Sequence, residues 1–105
     1  MIYELRTYKC LPGRLDTLLE RFDKAILQIW EDYPVDALGF WTDRDTHEVI
    51  YLLRWETSEQ RATTWSEFAK DQRWLDAKAA SEIDGPIVES FSSKNITPTS
   101  FSALK

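Results

Sequence analysis

A chain of 105 residues has room for one hydrophobic core, so a single domain over residues 1–105 is expected. Its formal net charge of −5 disfavours nucleic acid and anionic membrane as partners, because both call for a basic patch. Apolar residues at 43% and charged residues at 30% exclude a disordered chain, and no apolar run approaches the ~18 residues of a membrane-spanning helix.

Residues 2–8, Ile-Tyr-Glu-Leu-Arg-Thr-Tyr, alternate β-branched and aromatic groups with charge, which predicts a strand and is unlike a signal peptide. Pro12 and Gly13 break it. Leu15, Leu18, Leu19, Phe22, Ile26 and Ile29 then recur at steps of three and four, and this apolar stripe predicts a helix over residues 14–30. Pro34 ends that helix, because it disfavours helical geometry in Tyr33 before it.

Residues 38–42 read as a short aromatic strand, and the polar residues 43–46 suit a hairpin connection. Residues 47–55 give the strongest strand, with Val49, Tyr51, Leu53 and Trp55 on one side and Glu48, Ile50, Leu52 and Arg54 on the other. Thr57 and Gln60 form a capping-box pattern for a second helix, on which Arg61, Trp65 and Phe68 share a stripe. Residues 71–81 predict a further helical segment, and Gly85-Pro86 turns the chain into a last strand over residues 87–93. A tail over residues 95–105 carries two late hydrophobes, Phe101 and Leu104.

Strand, helix, strand, strand, helix, strand is the order of a ferredoxin-like βαββαβ fold of the α+β class. It predicts a four-stranded antiparallel sheet with the helices on one face. The wholly apolar side of the third strand is expected under the helices, joined by Tyr3 and Leu5. Glu4, Arg6, Tyr8, Ile50, Leu52, Arg54, Glu89 and Phe91 are then expected on the far face. Such a patch invites cover, and a two-fold homodimer stacking sheet on sheet would supply it.

Charges trapped in that interface must be paired. Two readings of Arg6 and Arg54 follow: mutual ion pairs with carboxylates such as Glu4, or a positive fork for an anionic or carbonyl-bearing ligand, aided by Tyr8. Trp65 and Phe68 read first as core, and alternatively as the apolar wall of a cavity between helix and sheet. The candidate ligand-binding residues are therefore Arg6, Tyr8, Trp41, Arg54 and Trp65. No catalytic residue is assigned.

Other chemistries find little support. His47 is the one histidine and flanks a hairpin, where a bystander role is expected; a haem role is disfavoured for the same reason. One His and one Cys far apart make no transition-metal set, and three isolated glycines make no phosphate loop. No metal and no cofactor are expected. Cys10 is alone, so it forms no internal disulfide; it lies beside a turn and reads as a free thiol of a reducing, cytoplasmic compartment.

The opening Met1-Ile2-Tyr3-Glu4-Leu5-Arg6-Thr7-Tyr8 with Pro12-Gly13 resembles the start of NIPSNAP-domain proteins. So do Leu52 to Ser58 leading into Arg61, Trp65 and Phe68, then Asp71 and Trp74, and the closing Pro98-Thr99-Ser100-Phe101-Ser102. The likeness spans nearly the whole chain in order, as in a one-domain bacterial-type member. Gln72 stands where the family usually has proline, Tyr51 where the third strand often carries histidine, and His47 where asparagine is frequent. The resemblance implies a dimeric α+β barrel. That superfamily includes cofactor-independent monooxygenases, haem enzymes and plain binding proteins, and the NIPSNAP group has no settled activity. The function expected is a homodimeric small-molecule-binding domain. The alternatives are a monooxygenase or isomerase acting on an aromatic or polyketide-like substrate, and a structural module without a ligand.

Overall fold

In the computed structural model, which describes residues 1–105, β1 (Ile2–Cys10) is a central strand. It pairs antiparallel with β3 (Glu48–Trp55) on one side and with β4 (Val88–Ile96) on the other; β2 (Asp36–Asp43) completes the order β2-β3-β1-β4. This is the ferredoxin-like α+β sheet that the element order predicts. Its hairpin turns at His47, which takes a left-handed φ of 59°.

The helical segment after β1 is not one regular helix. It comprises α1 (Leu15–Arg21), a π-helical turn (Phe22–Ile26) and α2 (Leu27–Trp30). The Leu27 N–H reaches back to the Phe22 carbonyl, five residues away, which widens the turn. Helix α3 (Ser58–Phe68) begins at Thr57, whose side chain accepts from the Gln60 N–H. The Gln60 side chain reaches back to the Glu56 N–H, one residue further than a standard capping box. Helix α4 (Gln72–Ser81) starts at Asp71 and buries none of its residues.

The core lies between sheet and helices. Val49, Tyr51, Leu53 and Trp55 face it from β3, and Leu18, Phe22, Ile26, Ile29 and Trp30 meet them from the helical side.

The register corrects the expected face of β1. Glu4, Arg6 and Tyr8 lie opposite Leu53, Tyr51 and Val49, so they point toward the helices. Tyr3, Leu5 and Thr7 oppose Arg54, Leu52 and Ile50 on the far face. Phe91 and Ser93 follow Tyr8 and Arg6 to the helix side. The far face therefore carries Leu5, Ile50, Leu52 and a 55%-exposed Trp41, with Tyr3 buried at one end near Pro98 and Leu104 of the tail. The reason is physical. Charged residues go inward when their charges cancel within the face, and hydropathy alternation is blind to that cancellation.

Candidate ligand-binding site

The site is built around Glu4, which has no exposed surface. Oε1 accepts from the indole N–H of Trp55 and of Trp65, each at 3.0 Å. Oε2 accepts from Arg6 Nη1 at 2.8 Å, Arg61 Nη2 at 3.1 Å and Ser93 Oγ at 2.6 Å. Arg61 Nε also lies 3.0 Å from Oε1, but its N–H is turned off that line, so this contact is ionic only. One carboxylate thus ties together β1, β3, β4 and α3. Burial alone would raise its pKa; the hydrogen bonds from Arg61, Ser93, Arg6 and Trp65 override burial and hold it at about 2. With both oxygens occupied, Glu4 is a brace and offers no lone pair to a substrate.

Arg6 is the second tier. Its Nη1 holds Glu4, its Nε donates to Tyr51 Oη at 2.8 Å and its Nη2 to Tyr8 Oη at 2.8 Å. The guanidinium carbon lies 4.6 Å from the Trp65 ring centre and 5.3 Å from that of Phe91, in cation–π range. Burial opposes its charge, but Tyr51, Tyr8 and Glu4 raise its pKa above the usual guanidinium range. Tyr51 Oη donates to Tyr8 Oη at 3.1 Å. Burial, then Tyr8, push the Tyr51 phenol well above its ordinary pKa. Two phenolic protons serve one oxygen–oxygen contact here, so one O–H is left over. It belongs to Tyr8, which accepts from both neighbours.

Above these residues lies a cavity of about 660 Å³. Its aromatic walls include Trp30, Trp65, Phe68, Trp74 and Phe91, with Phe22 and Ile26 supplied by the π-turn. Trp74 comes from α4, stacks on Phe68 at 5.2 Å and sits 5.0 Å from the Arg21 guanidinium. Arg21 reaches the cavity from α1 with its side chain 7% exposed. Its Nη1 donates to Ser81 Oγ at 3.3 Å and lies 3.8 Å from Glu82, while its buried Nε has no partner. Burial lowers its pKa, with Glu82 and Tyr8 opposing that fall.

Of the five residues singled out in the sequence, Arg6, Tyr8 and Trp65 meet at this cavity. Trp41 and Arg54 do not; both lie on the opposite face, where Arg54 holds Asp36 at 2.8 Å. Arg6 and Arg54 are consequently not neighbours. Ion pairing to Glu4 uses one N–H of Arg6, Tyr51 and Tyr8 take two more, and one remains on each terminal nitrogen. Cys10 is buried rather than exposed, and burial raises its pKa. His47 stays in the hairpin, outside the cavity.

Arg61, Arg21 and Tyr51, like Glu4 and its donors Trp55 and Ser93, are not among the sequence candidates. Arg61 carried a signal: a charged group on the Trp65–Phe68 stripe needs a buried partner of opposite sign. Arg21 carried none, because it sits among the polar residues of its helix.

The NIPSNAP family model matches residues 3–103. Among solved structures, a NIPSNAP family protein from Agrobacterium tumefaciens is 24% identical, with a TM-score of 0.84 over 99% of this chain and 98% of that one. An uncharacterized NIPSNAP domain protein from Burkholderia xenovorans is 23% identical, with a TM-score of 0.82 over 97% and 98%. More distantly, a putative antibiotic biosynthesis monooxygenase from Chloroflexus aurantiacus shares the fold at 15% identity and a TM-score of 0.61, with both chains wholly covered. A search of curated proteins found no match. With the family model spanning almost the whole chain, and with Glu4, Arg6, Trp55, Arg61 and Trp65 of the resembling segments joined in one network, this chain belongs to the NIPSNAP family.

Proposed function

We propose that the chain binds a small organic molecule in the cavity between sheet and helices. The observation that carries this reading is the cavity itself: about 660 Å³, with 11 of its 15 lining residues hydrophobic. Ligand sites span roughly 300–1,000 Å³, are mostly apolar, and hold a few polar groups that fix orientation. Arg6 and Tyr8 are such groups. A fully packed structural module would have no such space.

The wall favours binding over proton abstraction. A general base must offer a free lone pair at a suitable pKa. Glu4 has none to offer, Tyr51 is pushed away from ionisation, and His47 is elsewhere. Likeness to a putative monooxygenase supports the fold and no particular reaction.

The test is a screen of aromatic and alicyclic compounds of every charge type, read by quenching of the cavity tryptophans. Ala62→Phe puts a ring at the α3 wall without touching the Glu4 network. Responses seen with the native chain should vanish in that variant. Responses that persist undiminished would refute the cavity as the site, and no response to any compound would refute the reading altogether.

The binding unit is a homodimer in this proposal. Leu5, Ile50, Leu52 and the exposed Trp41 give the far face an apolar centre suited to a second sheet. A cytoplasmic setting fits the single unpaired thiol.

A further inference from the structure

The polar groups at the cavity are unusual in being almost all donors. Glu4 spends its lone pairs on its own partners. Arg6 has five N–H groups and uses three, leaving one on each terminal nitrogen. Tyr8 keeps the unspent O–H of the phenol pair. Arg21 also lines the cavity; of its guanidinium only Nη1 makes a hydrogen bond, to Ser81, and its buried Nε has no partner.

The charge count points the same way. Arg6, Arg21 and Arg61 line the cavity, and no carboxylate does. Their acidic partners are Glu4, shared by Arg6 and Arg61, and Glu82, at 3.8 Å from Arg21. Three guanidiniums against two carboxylates leave one positive charge without a counterpart, inside a chain whose overall charge is −5. An uncompensated charge in a low-dielectric pocket is costly, and a bound anion relieves that cost. The walls select what the anion is attached to. Trp30, Trp65, Trp74 and Phe91 offer ring faces and edges to a flat apolar body.

Resting on the binding reading above, we propose that the ligand is a flat, aromatic monoanion. Its carboxylate or enolate oxygens sit on the free donors of Arg6, Tyr8 and Arg21, and its ring system lies among the tryptophans. The structure thereby assigns Arg21 as a specificity-determining residue of the site.

The experiment uses matched probes that differ only at the head group: benzoate, cinnamate and 2-naphthoate, with the corresponding primary alcohols and primary amines. Binding is followed by tryptophan quenching and titration calorimetry on the native chain, Tyr8→Phe, Arg21→Gln and Arg21→Lys. Within a pair the carboxylate should bind at least about tenfold tighter than the alcohol, the order expected for one charge-assisted hydrogen bond, and the amines should not bind. Arg21→Gln and Tyr8→Phe should weaken the carboxylate more than the alcohol and so shrink the carboxylate–alcohol gap. Arg21→Lys, which keeps the charge at the α4 contact, should retain most of the gap and shows that the loss in Arg21→Gln is not a folding defect.

Alcohols or amines binding as tightly as carboxylates would overturn the anion assignment while leaving the cavity as a binding site. An unchanged gap in Arg21→Gln would overturn the role given to Arg21. Failure of every carboxylate to bind overturns the inference, and failure of every probe overturns the binding reading with it.

Discussion

Replacing Glu4 by Gln keeps the side-chain shape and removes one charge from the centre of the molecule. The amide offers one acceptor oxygen where two carboxylate oxygens now serve five hydrogen-bond donors, and it turns an NH2 group toward donors that need an acceptor. Arg6 and Arg61 lose their shared counter-charge. Linkage sets the scale: at about 1.36 kcal/mol per pKa unit, a fall from 4.5 to about 2 corresponds to about 3 kcal/mol. Arg61 is 26% exposed, so water screens part of its share, and about 2–3 kcal/mol is expected. Breaking a buried pair by removing one partner costs about 3–5 kcal/mol, which agrees in order. The sign follows from a depressed pKa. The contribution of Glu4 is fully present above its unfolded value of 4.5 and is lost as pH falls from there through about 2. Urea unfolding of the native chain and Glu4→Gln at neutral pH should therefore differ by about 2–3 kcal/mol, and the gap should close on acidification across that window. A gap below about 0.5 kcal/mol at neutral pH, the scale of an ordinary surface substitution, or one independent of pH, would refute the account of Glu4 as a charged brace.

Thr57→Ala removes the oxygen that accepts from the Gln60 N–H and should cost about 1 kcal/mol in thermal or urea unfolding. Cys10 is 2% exposed with its thiol pKa raised by burial, so labelling by a disulfide reagent should be slow and should accelerate with urea in step with unfolding. Leu52→Glu or Trp41→Glu places charge on the far face and should convert a dimer to a monomer in sedimentation velocity while leaving the fold intact by circular dichroism; a native chain that is already monomeric at micromolar concentration would remove the dimer. Gly39→Ala puts a Cβ 2.6 Å from the Trp41 ring, which must swing away, so it should weaken the same self-association without a charge.

The element order and its periodicities were enough to read the fold, because hydrophobic spacing reports directly on which segments can be buried. The face of β1 was not readable in this way. Tyr3-Leu5-Thr7 looks more apolar than Glu4-Arg6-Tyr8, yet the latter is the buried side, because Arg61 and Trp55 from distant segments neutralise and hydrogen-bond Glu4. Pairing across sequence separations of 51 and 57 residues leaves no local trace. Phe91 inherited the same error through its register with Tyr8, and the direction of Trp41 followed from its pairing with Ile50. Arg6, Tyr8 and Trp65 could be found because aromatics and a cation recur there at strand and helix spacing. Arg21 could not, because an arginine on the polar side of an amphipathic helix reads as solvent-facing until α4 closes over it.

The wide turn at Phe22–Ile26 gives its helical segment one residue more than regular pitch would use. It acts as a phase shifter: one residue is absorbed without advancing the helix face, so Leu15 and Leu18 before it and Ile29 and Trp30 after it all meet the same sheet. Deleting a single residue at Asp23 or Lys24 would restore regular α-helical pitch. Everything beyond would keep its face, because the turn already absorbs that residue; deleting a second one is not absorbed and would rotate everything beyond by about 100°, one residue's share of a turn. Trp30 would then leave its contacts with Tyr51 and Trp65, and Tyr33 would lose the Asp71 carboxylate that it holds at the start of α4. Loss of both exposed, charged positions would thus dismantle an aromatic wall several residues away, whereas loss of one, or substitutions at either, should pass almost unnoticed.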